Sequence, residues 1–225
     1  MFAKDCAWAG GFGMGNDRWE RVTVCDGGRM EVRGGFTPWH ATLDVAPGGT
    51  FVLAPTIADM SDSFFPSVLT NRGVLEMPNG VKWHASGRVG GSFSIVQKSG
   101  TMRIGAPLWG FENDSQRHGG KLSVTVEGGR IEVKGHVAFM DFDSCTIAPG
   151  AEVELYVAEG SSFDLSPFKV GKGAKIVKKG GGIVVVGGGA PPAGLSVEEG
   201  GTSFVPLVVK KAEGVHPLGD AARRT

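Results

Sequence analysis

The stretch Val124-Thr125-Val126-Glu127-Gly128-Gly129-Arg130-Ile131-Glu132-Val133-Lys134-Gly135 holds two short runs of alternating apolar and polar residues joined by a glycine pair. Alternation with period two, with Val and Ile at the apolar places and glycine at the bend, marks half-buried strands. The chain contains this text twice. Val22-Thr23-Val24-Cys25-Asp26-Gly27-Gly28-Arg29-Met30-Glu31-Val32-Arg33-Gly34 repeats it with one extra residue before the glycines. Both copies continue alike, Val45-Ala46-Pro47-Gly48-Gly49 matching Ile147-Ala148-Pro149-Gly150-Ala151. The offset is 101 residues from Arg29 to Arg130 and 102 from Pro47 to Pro149, which indicates a tandem duplication.

Inside each copy a shorter phrase recurs: a glycine followed by x-apolar-x-apolar. It begins at Gly28, Gly49, Gly73, Gly100 and Gly129, and in looser form at Gly150, Gly173 and Gly201, about every 25 residues. A coil of short strands cannot bury its own apolar side chains, but a stack of coils can. The reading is therefore an all-β chain, a parallel β-helix (β-solenoid) of about eight coils. Met30, Phe51, Leu75, Met102, Ile131 and Val153 are expected in one inward ladder. Val32, Leu53, Met77, Ile104, Val133 and Leu155 are expected in the next. Glu31, Val52, Glu76, Arg103, Glu132 and Glu154 should face outward, and glycine corners should supply positive φ and close backbone approach. The alternative is an antiparallel β-sandwich or jelly-roll pair, whose strands recur every roughly 8–12 residues but which gives no reason for the longer period.

The domain organisation follows: a Gly-rich lead-in or cap over 1–18, one solenoid over 19–209 built from copies at 19–120 and 121–209, and a polar tail over 210–225. Thirty-eight glycines without a G-X-Y period exclude collagen, and a hydrophobic fraction of 41% suits a packed core. Acids and bases balance at a formal charge of zero, so no basic excess points to nucleic acid. No run reaches the roughly 18 apolar residues of a membrane-spanning helix. Cys6, Cys25 and Cys145 are scattered and odd in number, which argues against a disulfide framework or a zinc site. One Tyr beside thirteen Phe is a skew without explanation at this level.

The segment Ile176-Val177-Lys178-Lys179-Gly180-Gly181-Gly182-Ile183-Val184-Val185-Val186-Gly187-Gly188-Gly189, with Ala193-Gly194-Leu195-Ser196-Val197-Glu198-Glu199-Gly200-Gly201-Thr202, resembles the autotransporter-associated β-helix repeat. Phe93-Ser94-Ile95-Val96-Gln97-Lys98-Ser99-Gly100-Thr101 is a weaker echo of related bacterial surface repeats. The departure is Gly189-Ala190-Pro191-Pro192, where that family has an Asn- and Thr-rich stretch. The resemblance implies a right-handed parallel β-helix exported to the bacterial surface or medium, with no catalytic residues to carry over. Met1 to Cys6 lacks the charged start and apolar core of a signal peptide, so the expectation is either a cytoplasmic protein or a piece of a longer exported chain.

Chemistry is sparse. None of His40, His84, His118, His136 and His216 pairs with another His or a Cys at metal-ligand spacing, and no cofactor is expected. Asp141-Phe142-Asp143 would place both carboxylates on one face of a strand, fit for Ca²⁺ or acid/base work, or simply solvated opposite an inward Phe142. Trp39 and Trp83, each followed by His, could stack on sugar rings or anchor the core. The expected function is a non-enzymatic structural or adhesive module, contacting polysaccharide or a host or matrix surface and open to end-to-end self-association. The alternative is a polysaccharide lyase or hydrolase using Asp141, Asp143 and His84. Three or more acidic or basic groups converging in a cleft would mark that alternative.

Overall fold

A computed structural model describes residues 6–8, 12–14, 20–38, 41–54, 57–59, 66–84, 92–110, 120–188 and 190–204. Every described strand pairing is parallel and joins residues one turn apart. The fold is an all-β parallel solenoid, and among the described residues there is no helix.

Three faces enclose the core. The first stacks Arg29–Val32, Thr50–Leu53, Val74–Met77 and Thr101–Ile104, then continues through the C-terminal halves of Lys121–Val133 and Ser144–Val157 to Lys175–Lys179. The second is a six-stranded sheet running from Phe12–Met14 to Phe139–Met140. The third stacks Glu20–Val24, Ala41–Val45, Ser67–Asn71 and Ser92–Gln97 on the N-terminal halves of the two long strands. A further four-stranded sheet, His136–Val137 to Gly201–Phe204, completes the C-terminal end. Cys6–Trp8 and Phe12–Met14, inside the stretch read as a lead-in, pair with Arg29–Val32 and Phe36–Pro38 as strands of the stack. The duplicated segments lie in one continuous sheet.

The opening stretch is one strand, Lys121–Val133, that passes from the third face to the first at Gly128–Gly129. The phrase at Gly201 lies elsewhere from its counterparts, pairing with Ile183–Val186 in the four-stranded sheet. The other seven phrases stack on the first face, between Cys6–Trp8 at one end and Leu195–Val197 at the other.

The inward column runs Met30, Phe51, Leu75, Met102, Ile131, all nearly inaccessible to solvent. It then continues to Leu155 and Lys178, whereas Val153 had been expected after Ile131. Val133 likewise pairs with Val157, not Leu155. The cause is a register shift: Val126 pairs with Ile147 but Gly128 with Glu152, so the second strand takes the corner with extra residues, Ala148 to Ala151.

Aromatic rings thread the shaft. Phe36 lies 6.2 Å from both Phe51 and Phe93, Trp83 lies 6.0 Å from Phe93, and Phe139 lies 5.0 Å from Phe168. This accounts for the Phe excess at those positions: a buried tyrosine hydroxyl would need a hydrogen-bond partner inside an apolar column. Asn71 and Gln97, both wholly buried, are linked across turns, Asn71 Nδ2 donating to Gln97 Oε1 at 2.6 Å, while Asn71 Oδ1 is left without a hydrogen-bond partner. Cys25 is half-buried and Cys145 buried, both as free thiols, and burial pushes the Cys145 pKa up to about 12.

Candidate functional site

Stacking brings outward residues of successive turns within hydrogen-bond range, since neighbouring strands lie about 4.8 Å apart. On the first face the pairing is Glu76 to Arg103 to Glu132, and their opposite signs convert a column into a ladder of ion pairs. Arg103 Nη1 donates to Glu76 Oε1 and Arg103 Nε to Glu132 Oε2, each at 2.8 Å. Arg130 lies 2.8 Å from Glu132 and also pairs with Glu154, which in turn accepts from Lys179 at 3.0 Å. At the other end Arg29 joins Glu76, at 3.5 Å, to Glu31, which accepts from Arg33 at 2.6 Å. The guanidinium of Arg130 also lies 5.0 Å from the centre of the Tyr156 ring.

Val52, expected to face outward, is only 3% exposed. It sits in register between Glu31 and Glu76, and the Arg29–Glu76 pair spans the turn it occupies. Glu154 lies one column over from its expected place, in register with Arg130, for the same reason that Leu155 is displaced.

The ladder fixes the charge states. Burial works to raise the Glu132 pKa, but the Arg103 hydrogen bond and the Arg130 and Arg103 charges outweigh it and hold it below the ordinary 4.5. The Arg33 hydrogen bond does the same for Glu31. Hydrogen bonds from Arg103 to Glu76 and Glu132 raise the Arg103 pKa. A groove of about 370 Å³ opens along this stripe, lined by Glu76, Pro78, Arg103, Ile104, Gly105, Glu132 and Lys134. It therefore does gather several charged groups, although two of its carboxylates are clamped by one guanidinium.

Of the residues singled out from sequence, Trp83, Asp141 and Asp143 do not line this groove. Trp83 is 1% exposed, its ring packed on Phe93 and Phe142, so it anchors the core and offers no face to a sugar. Trp39 lies outside the described residues, and so does the side chain of His84. Asp141 and Asp143 are exposed, but they flank a bend and not a strand. Asp141 takes φ 57°, the left-handed conformation that Asp tolerates better than most residues, and the chain turns there. Phe142 points into the core as expected, 5.4 Å from Phe139, and Asp143 Oδ2 accepts the backbone N–H of Leu122 at 2.8 Å. Glu76, Arg103 and Glu132 were read from the sequence as outward residues, but not as partners. Their alternating sign at equivalent places in three phrases was the signal.

A second feature was missed. Lys178 is wholly buried in the column below Leu155, its ammonium donating to the carbonyls of Gly180, Gly182 and Glu199. Burial lowers its pKa, with the nearby Glu199 charge acting against that. Among the described residues no cluster of three His, Cys, Asp or Glu could hold a metal ion, and no helix is long and apolar enough to cross a membrane. Comparison with family models, characterised proteins and solved structures gives no match.

Proposed function

We propose that the chain is a non-enzymatic structural or adhesive module of an exported, autotransporter-like bacterial surface protein. Its function is then its shape: a stiff rod with long outer faces for contacting polysaccharide, matrix or host surfaces. The observation carrying this reading is the ion-pair ladder from Arg33 to Lys179, in which charges are spent holding successive turns together along the axis. A catalytic centre needs groups converging on one point with pKa values matched to proton transfer. Glu132 is shifted the other way, which suits a permanent ion pair better than a general acid.

The groove favours a second reading, a polysaccharide-cleaving enzyme, because Glu76, Arg103, Glu132 and Lys134 all line it. One experiment separates the two. The chain is immobilised and exposed to a panel of acidic polysaccharides and matrix proteins, with both retention and release of cleavage products recorded. Retention without product supports the module. Product formation that disappears in Glu132→Gln and Glu76→Gln overturns it in favour of the enzyme.

A further inference from the structure

The third face differs in kind from the first. Its outward positions form two in-register ranks, and the members of each are half-buried or exposed. One rank reads Thr42, Val68, Ser94, Ser123, Ser144. The other reads Thr23, Asp44, Thr70, Val96, Thr125, Thr146. No register shift interrupts either, since the irregularity in the long strands lies beyond Val126.

The spacing of such an array is set by the backbone. Rungs repeat at about 4.8 Å along the axis, and the two ranks, two residues apart on each strand, stand about 6.7 Å from each other. Five steps of the second rank make a patch roughly 24 Å long. It carries hydroxyl and methyl groups at fixed intervals and almost no charge. Asp44 is neutralised by Arg72, while Arg21, Lys121 and Lys169 stand at the margins. Ser94 and Ser123 hydroxyls bridge adjacent turns at 2.9 Å, fixing that rank further.

We propose that this face binds ice. Charge complementarity requires a neutral ligand, and a lattice of weak hydrogen-bonding groups separated by methyls requires one that repeats in two dimensions. Water ordered on such a surface can bridge protein hydroxyls at little enthalpic cost, and a crystalline water surface supplies many such contacts at once. A single glycan chain repeats in one dimension and is gripped chiefly by aromatic platforms. None of the residues in either rank is aromatic. The proposal concerns a different face from the ion-pair ladder and stands whether or not that ladder is adhesive.

The test uses the whole chain. Partition into a slowly growing ice shell and inhibition of ice recrystallisation are measured against a globular control protein of similar size. The wild type is expected to enter the ice and suppress recrystallisation. Thr70→Tyr and Thr125→Tyr, each raising a ring from the middle of the patch, should weaken both effects by roughly tenfold, about 1.4 kcal/mol of binding, with unchanged thermal melts. Lys172→Tyr, on an exposed turn outside the ranks, should leave them intact. Wild-type partition no greater than the control overturns the proposal without recourse to any variant. So do folded Tyr variants of full activity. Binding to crystalline cellulose or chitin without any ice effect also overturns it and reassigns the face to polysaccharide.

Discussion

Leu75→Ala is the perturbation whose cost can be worked most fully from the structure. Leu75 is wholly buried and lies in register between Phe51 on one turn and Met102 on the next. The substitution removes three carbons, about 2.4 kcal/mol at roughly 0.8 kcal/mol per methylene. Neighbours above and below are held by their own strand pairings, so the site can collapse only partly and a cavity term adds to this. The total is about 3–4 kcal/mol, within the range seen for buried leucines. For a chain of this length that corresponds to a fall in melting temperature of roughly 6–16 °C. Val74→Ala, one residue earlier on the outward side, should cost less than about 1 kcal/mol. Circular dichroism melts of both variants against wild type provide the measurement. A folded Leu75→Ala protein melting within about 2 °C of wild type would refute a shared core between turns.

The glycine corners give a matched pair: Gly27 and Gly100 have nearly equal φ of 67° and 68°, but a Cβ on Gly27 meets nothing within 4 Å while one on Gly100 would lie 2.1 Å from the Gly73 carbonyl oxygen. Alanine at 27 should cost about 1–2 kcal/mol from backbone strain alone, and alanine at 100 clearly more; equal melting shifts would contradict the stacking at that corner. Lys178→Met leaves the Gly180, Gly182 and Glu199 carbonyls without their donor, at about 1–3 kcal/mol each before the relief of burying a charge is subtracted. Because the Lys178 pKa is lowered on folding, the unfolded chain binds the extra proton, so wild-type stability should rise as pH climbs from the lowered value towards 10.5, and the Met variant should lose that rise in a pH series of melts. Glu132 follows the same rule in acid, its lowered pKa giving stability present above the ordinary 4.5 and lost as pH falls through the folded value. Arg103→Met, half-exposed and so worth about 1 kcal/mol or less, should thus lower the melting temperature at pH 7 and converge on wild type in acid; a gap that persists at the lowest pH would show that packing, not charge, made the difference.

The fold was legible because its information is periodic. A phrase recurring at Gly28, Gly49, Gly73 and Gly100 places Met30, Phe51, Leu75 and Met102 in one column, and they do stack there. Prediction slipped at Val153, where extra residues at the Ala148–Ala151 corner displace the register; a glycine pattern marks corners but not how many residues each consumes. Val52 was misplaced because its cover comes from Arg29 and Glu76, side chains on other turns. The functional surfaces were harder still. Asp141 and Asp143 looked like a strand pair, yet φ at Asp141 breaks the strand, a backbone choice invisible in residue types. The Ser and Thr ranks draw one or two residues from each strand, so no local window displays them.

The most direct test of the stacked-turn account is a set of distances between spin labels down one outward column. Thr50, Glu154 and Ser196 share a column through the pairings of Thr50, Val74, Thr101, Arg130, Glu154, Val177 and Ser196. Double electron–electron resonance should give about 19 Å between positions 50 and 154, and about 29 Å between 50 and 196, one strand spacing per turn. Distances that grow in proportion to the number of intervening turns are the predicted result. Distances that fail to increase from the first pair to the second would contradict the account.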